Sequence, residues 1–171
     1  RMYCSMMDAL NFTGKDCLDI GCNAGFFSFK LAQRGNKVLG IDIRQSGAKT
    51  IEQANFAESI LQTGAKFQEG NFMELPDKQY DVVLFLGVLY HLYDYEAGMD
   101  KVASLVKPGG TLILETAYKG ETEFHPQGVP HDKTTFFYPS EGWIIDALTK
   151  RGFTIVKKMD WHRYMIEAKK E

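Results

Sequence analysis

At 171 residues and 19.4 kDa the chain is sized for one hydrophobic core, which argues against a second domain and makes residues 1–171 a single unit. With 44% hydrophobic, 13% aromatic and 25% charged residues it is too apolar for disorder, and its formal charge of -2 argues against broad attraction to phosphate backbones or anionic membranes. Three cysteines (Cys4, Cys17, Cys22), an odd count without a CxxC pair, fit the reduced thiols of a cytoplasmic protein, and no signal peptide is recognisable.

Taken in chain order, short β-branched runs alternate with longer helical ones, a pattern that predicts an α/β fold. A short helix is expected over Met2–Leu10, and the buried strand CLDI (Cys17–Ile20) then breaks at Gly21. Helix Phe26–Arg34 stops at Gly35 and Asn36, strand Lys37–Asp42 follows, and helix Ala48–Thr63 leads into strand Ala65–Gln68. Strand Asp81–Leu86 (DVVLFL) has lost the period-two alternation, so it belongs at the centre of a sheet covered on both faces. The longest apolar run around it, Val82–Leu89, falls well short of the ~20 residues that span a bilayer, so no membrane partner is expected.

Helix Tyr95–Val106 ends at Lys107-Pro108-Gly109-Gly110, which turns the chain into strand Thr111–Thr116. Residues 118–140 show no period and hold three of the five prolines, so they read as a long acceptor-side loop or lid over the strand ends. Helix Glu141–Lys150 precedes two runs, Phe153–Lys158 and Arg163–Lys169, whose short connection allows only an antiparallel hairpin. The expected fold is therefore a Rossmann-like, doubly wound, mostly parallel seven-stranded sheet with an antiparallel last strand and helices on both faces.

The segment LDIGCNAG (Leu18–Gly25) lies where the first strand hands over to a helix, the place where open parallel sheets bind ligands. Gly21 removes a side chain at a tight turn, Gly25 lets a ligand approach the helix start, and Asn23 tolerates a left-handed backbone. Gly21 and Gly25 are four apart rather than in the GxGxxG spacing, which disfavours a dinucleotide. Asp19 beside this cradle suits an ammonium group and would repel a pyrophosphate. Asp42, ending the second strand in LGIDI, is placed to accept hydrogen bonds from both hydroxyls of a ribose. A nucleoside with a cationic amino acid tail satisfies both acids, and S-adenosylmethionine is such a molecule. Each of these residues alone has a structural use, the glycines as an ordinary turn and the acids as caps; the ordered set favours the ligand.

With these motifs the chain resembles the class I S-adenosylmethionine-dependent methyltransferases over nearly its whole length. The carriers are LDIGCNAG, LGIDI, EGNFMELP (Glu69–Pro76), YDVVLFLGVLYH (Tyr80–His91) and KPGGTLILET (Lys107–Thr116). The resemblance implies S-adenosylmethionine as cofactor, with Cys22 and Ile43 joining the cofactor set from the first two motifs. It puts Asn71 and Phe72 beside the adenine and the backbone of Gly87 and Val88 along the methionine part. A narrower resemblance, carried by GVLYH (Gly87–His91), LILET (Leu112–Thr116) and FFYPS (Phe136–Ser140), is to the family that modifies the wobble uridine of transfer RNA by carboxymethyl transfer. Those enzymes have a substantial segment upstream of the first motif that contacts the cofactor carboxylate and RNA, where this chain has a short helix. The narrower resemblance is therefore read as shared ancestry of the acceptor loop.

Methyl transfer from a sulfonium is an in-line displacement that needs a positioned nucleophile and, for a hydroxyl acceptor, a base. Tyr90 and His91, just past the central strand, are the candidate catalytic residues. His91 is the candidate base, or else a cap that orients the loop; Tyr90 would orient the acceptor, pack on the sulfonium, or simply fill core. Glu115 is expected to bond the loop backbone. No metal is expected, because His125, His131, Glu123 and Asp132 sit in a proline-interrupted loop that does not impose a convergent shell. Phe124, Phe136, Phe137 and Tyr138 form either a lid over the acceptor or a satellite core, and the terminal basic run (Lys157, Lys158, Arg163, Lys169, Lys170) reads as a solvated edge.

Three readings follow. The first is a methyltransferase acting on oxygen or nitrogen of a small or medium-sized acceptor. The second is a wobble-uridine modifying enzyme with transfer RNA as partner, and the third a non-catalytic cofactor-binding module of a larger protein.

Overall fold

The computed structural model describes residues 10–43, 49–160 and 163–171. Its elements are β1 (Asp16–Ile20), α1 (Phe26–Ala32), β2 (Lys37–Asp42), α2 (Thr50–Leu61), β3 (Lys66–Glu69), β4 (Tyr80–Leu86), α3 (Tyr95–Ser104) and β5 (Val106–Thr116), followed by β6 (Glu123–Phe124), β7 (Phe137–Tyr138), α4 (Glu141–Lys150), β8 (Phe153–Asp160) and β9 (Tyr164–Lys170). Seven strands form one sheet in the order β3-β2-β1-β4-β5-β9-β8, in which β9 runs antiparallel to both neighbours. This is the expected architecture, and β4 stands at its centre.

The continuous apolar run of β4 divides between two cores. Val83 and Phe85 pack with Met99 and Val102 of α3 and Ile144 and Leu148 of α4 on one face. Val82 and Leu84 pack with Phe29 and Leu31 of α1 on the other. The strand must be apolar throughout because neither face meets water. Polar residues fix the ends of the elements. Asp94 Oδ1 accepts from Ala97 N at 3.0 Å to start α3, and Ser140 Oγ accepts from Trp143 N at 3.2 Å to start α4. Buried Asn36 accepts from Lys15 N and donates to the Phe12 and Leu31 carbonyls, tying the end of α1 to the entry of β1.

Several expectations change in detail. The helix over Met2–Leu10 falls, apart from Leu10, outside the described residues, as does the Ala48 start of the second helix. The proline-glycine turn at Lys107–Gly110 is absorbed into β5 as a bulge, since Tyr80 faces Val106 while Val82 faces Thr111. The loop over residues 118–140 is not wholly irregular: β6 and β7 pair antiparallel across it, Glu123 opposite Tyr138 and Phe124 opposite Phe137. Two-residue strands are too short to show a period, so only the pairing reveals them.

Candidate functional site

A cleft of about 1320 Å³ opens at the carboxyl ends of β1, β2 and β4, where the strand order reverses between β1 and β4. Its first wall is the turn after β1. Gly21 N and Cys22 N both donate to the Ile41 carbonyl, at 2.8 and 3.2 Å, so this turn is sewn to the end of β2. Gly21 takes φ 73°, and a Cβ there would lie 2.4 Å from Val88 Cγ2. Its missing side chain thus lets the segment after β4 close against the turn. Asn23, at φ 51°, donates its backbone N–H to Asp42 Oδ2 at 2.7 Å.

Two acids belong to this wall. Asp19 is 2% exposed and accepts from Ser28 Oγ at 2.6 Å. Burial pushes its carboxyl up to about 6, with Ser28 pulling the other way and the charge of Asp42 adding to the rise. Burial also raises Asp42, against the backbone N–H bonds of Asn23 and Ile43. An ionised carboxylate offers about four lone-pair sites, so Asp42 retains acceptor capacity beyond those bonds. Burial, and then the charges of Asp19 and Asp42, hold the Cys22 thiol far above its ordinary value, which keeps it a thiol and not a nucleophile.

The opposite wall comes from the turn Leu89–His91 and the long loop. His91 Nδ1 lies 2.6 Å from the Thr134 carbonyl oxygen, and Phe136 N donates to the Tyr90 carbonyl at 2.9 Å. The Tyr90 ring lies 4.1 Å from that of His91, with the Arg163 guanidinium 4.9 Å above it. Arg163 is itself held by Glu115, Nη2 to Oε2 at 3.0 Å and Nε to Oε1.

Of the expected site residues, Asp19, Gly21, Cys22, Asn23, Asp42 and Ile43 line the cleft, as do Phe72, Gly87, Val88, Tyr90 and His91. Two do not. Gly25 starts α1 at φ 86°, but the space a Cβ would take is filled by the Phe67 ring at 2.7 Å, so its small size serves strand-helix packing rather than ligand approach. Asn71 accepts from Met73 N at 3.0 Å and caps the turn Phe72–Glu74, leaving Phe72 to face the cleft.

Other expectations need correction. Glu115 bonds Arg163 rather than loop backbone, and Arg163 is drawn inward instead of belonging to a solvated basic edge. The aromatic quartet divides its uses. Phe137 is fully buried and stacked on Tyr95 at 3.8 Å, Phe136 lines the cleft, and Phe124 packs on Tyr93 at 5.3 Å. His125 Nε2 and Glu123 Oε2 meet at 2.9 Å as a pair, and among the described residues no three potential metal ligands converge. Sequence reasoning missed Phe26, Phe27, Leu92 and Thr134 as lining residues. Phe26 was open to inference as the first helical residue after the glycine turn, while nothing local to Thr134 marks it.

A model of the methyltransferase-domain family matches residues 3–158, and the chain belongs to that family. A ubiquinone biosynthesis O-methyltransferase of Stutzerimonas stutzeri is 32% identical over 155 residues, which cover 81% of this chain and 66% of that protein. A tRNA U34 carboxymethyltransferase of Campylobacter hominis is 32% identical over 112 residues, covering 64% of this chain and 38% of that protein. The chain thus spans between 38% and 66% of the length of these two relatives. Among solved structures, the magnesium protoporphyrin IX methyltransferase of Synechocystis PCC 6803 with bound SAM is 26% identical and superposes with a TM-score of 0.76 over 99% of this chain and 78% of that one. No helix among the described residues is long and apolar enough to cross a membrane.

Proposed function

We propose that this member of the methyltransferase-domain family is an S-adenosylmethionine-dependent methyltransferase acting on an oxygen or nitrogen of a small or medium-sized acceptor, in the cytoplasm. The observation that carries the proposal is the pairing, in one cleft, of a buried carboxylate at the end of β1 with a hydrogen-bonded carboxylate at the end of β2, facing His91 across the opening. Asp19 is costly to ionise in isolation, and an ammonium group beside it relieves that cost. Asp42 retains acceptor capacity for ribose hydroxyls, Phe72 offers an apolar surface, and Gly21 with Val88 shapes the floor. The SAM bound in the superposed magnesium protoporphyrin IX methyltransferase supports the same cofactor.

Bound in this cleft, S-adenosylmethionine supplies an activated methyl carbon on sulfur. The protein's own part is to orient the acceptor and receive its proton. Tyr90 is held from behind by Arg163, and His91 presents its ring to the cleft as the candidate base.

Calorimetric titration with S-adenosylmethionine, S-adenosylhomocysteine and carboxy-S-adenosylmethionine, on the native chain and on Asp42→Ala, tests this reading. Binding of the first two that is lost in the variant is the expected result; no binding of any of the three refutes it. The relatives named as tRNA U34 carboxymethyltransferases favour a second reading, transfer RNA modification, for which a clear preference for the carboxylated cofactor is the mark.

A further inference from the structure

Which nitrogen of His91 receives the proton is decided by the loop that faces it. The Thr134 carbonyl, 2.6 Å from Nδ1, can only accept, so Nδ1 must carry a proton to make this bond. Nε2 has no hydrogen-bond partner among the described residues, and His91 lines the cleft. An imidazole fixed in this way keeps a lone pair on Nε2, the state a base needs.

The carbonyl that imposes this tautomer does not hold itself in place. Asp132 Oδ1 accepts from Thr134 N at 2.9 Å and from Thr134 Oγ1 at 2.7 Å, while Oδ2 accepts from Thr135 Oγ1 at 2.7 Å. The peptide that carries the Thr134 carbonyl is pinned at its other end by Thr135 N donating to the Asp132 carbonyl at 3.2 Å. Asp132 and Val129 also exchange a reciprocal pair of backbone bonds, at 3.0 and 3.1 Å. Gly128 permits the tight return: at φ 72° its absent Cβ would fall 2.5 Å from the Lys133 carbonyl oxygen. One aspartate thus gathers the bonds that aim a carbonyl at a ring 43 residues away in sequence.

We propose that Asp132 is a positioning residue for His91, holding the Thr134 carbonyl so that the ring keeps its proton on Nδ1 and presents Nε2 to the acceptor. The inference rests on the methyltransferase reading for its use, not for its geometry. With a hydroxyl acceptor, the oxygen-to-carbon bond forms as the carbon-to-sulfur bond breaks and leaves its electron pair on sulfur. The hydroxyl proton passes to Nε2, and the resulting imidazolium later releases it to water. The Asp132 carboxylate favours that cation electrostatically, and its bonds to Thr134 and Thr135, with His91 contributing least, hold its carboxyl down to about 2. It therefore stays anionic at neutral pH.

The test is nitrogen-15 NMR of histidine-labelled protein, at a pH where the ring is neutral, with His91 assigned by its loss in His91→Gln. The expected result is a dominant Nδ1–H tautomer in the native chain and its loss to a mixture in Asp132→Ala. Asp132→Asn, which keeps the shape but cannot accept all three bonds, should fall between them. A dominant Nε2–H tautomer in the native chain overturns the proposal without recourse to any variant, as does an unchanged tautomer in both variants. Titration of the same samples with S-adenosylmethionine separates the two claims. A native chain that shows the Nδ1–H tautomer without binding the cofactor supports the positioning role while defeating the methyltransferase reading.

Discussion

The two walls of the cleft are built by different means. The wall from β1 and β2 draws its residues from positions 19 to 23 and 41 to 43, and its turn is held by backbone bonds from one parallel strand to the next, beneath a buried acid. The facing wall joins His91 to Thr134 and Tyr90 to Phe136, each across more than 40 residues of chain, through a partly exposed loop organised by one aspartate. Glycine shows the contrast in miniature. At Gly21 a Cβ would meet the methyl of Val88, whereas at Gly128 it would meet the backbone of Lys133. The first wall is fixed by the sheet and suits a ligand that does not vary; the second can be rebuilt for a different acceptor without disturbing the sheet.

The largest expected effect comes from deleting the charge on the fixed wall. Two hydroxyl bonds to a carboxylate are worth about 1.5–3 kcal/mol each, so Asp42→Ala should weaken S-adenosylmethionine by ~100-fold or more in calorimetry. Thr134→Ala, on the facing wall, keeps the backbone carbonyl and should leave that affinity within about threefold. Equal losses in the two variants break the division of labour between the walls.

Next is the acid beneath the turn. Because burial raises Asp19 from 3.8 to about 6, the folded chain binds more protons than the unfolded chain between those values. Stability from this group is therefore present below about pH 4 and lost as pH rises through about 6, by ~3 kcal/mol in all. Asp19→Asn should consequently raise the melting temperature of the ligand-free protein at pH 8, and the gain should vanish near pH 4. The same variant should bind S-adenosylmethionine more weakly, since the ammonium group loses its partner. A variant no more stable at pH 8 than the native chain shows that the carboxylate is not strained.

These contrasts also explain what the sequence reveals. The mostly parallel sheet with its antiparallel last strand follows from alternating patterns and short connections, and Asp19, Gly21 and Asp42 follow from their places at strand ends, because a parallel sheet brings successive carboxyl ends together. Gly25 and Asn71 fall outside the cleft lining for one reason: a small or amide residue beside a site looks the same in sequence whether it faces ligand or protein, and the structure sets them against the Phe67 ring and the Met73 amide. Arg163 is hidden among lysines until β5 and β9 are placed in register, with Thr116 opposite Tyr164, one residue beyond which Arg163 reaches Glu115. Thr134 has no local signature, since its function lies in a carbonyl that every residue possesses.

A paired substitution sharpens the comparison at about 1–3 kcal/mol per site, the range for a strained backbone angle combined with overpacking. Gly21→Ala should lower both the melting temperature and cofactor affinity, and adding Val88→Ala should recover part of each by removing the methyl it strikes. Gly128→Ala should speed amide hydrogen exchange at Val129, Asp132 and Thr135 while leaving cofactor affinity near the native value. Loss of cofactor binding in Gly128→Ala shows the walls to be coupled.

The smallest effect is expected farthest from the cleft, on edge strand β8. Lys158 bonds Glu141 at 2.8 Å with both side chains about half exposed, and Glu141 also accepts from Tyr164 at 2.6 Å. Lys158→Gln should therefore cost under ~1 kcal/mol, and less in high salt, because solvent screens the pair and Tyr164 still occupies the acid. The same residue probes the acceptor question. Each lysine that neutralises a phosphate contributes about 0.9 to the slope of binding against the logarithm of salt. If the hairpin served transfer RNA, removing Lys157 and Lys158 together would flatten that slope by nearly two. Lysines that only keep a sheet edge from pairing with another predict the opposite: no salt-dependent shift with bulk transfer RNA in the native chain, and a double variant whose one solution change is a greater tendency to self-associate.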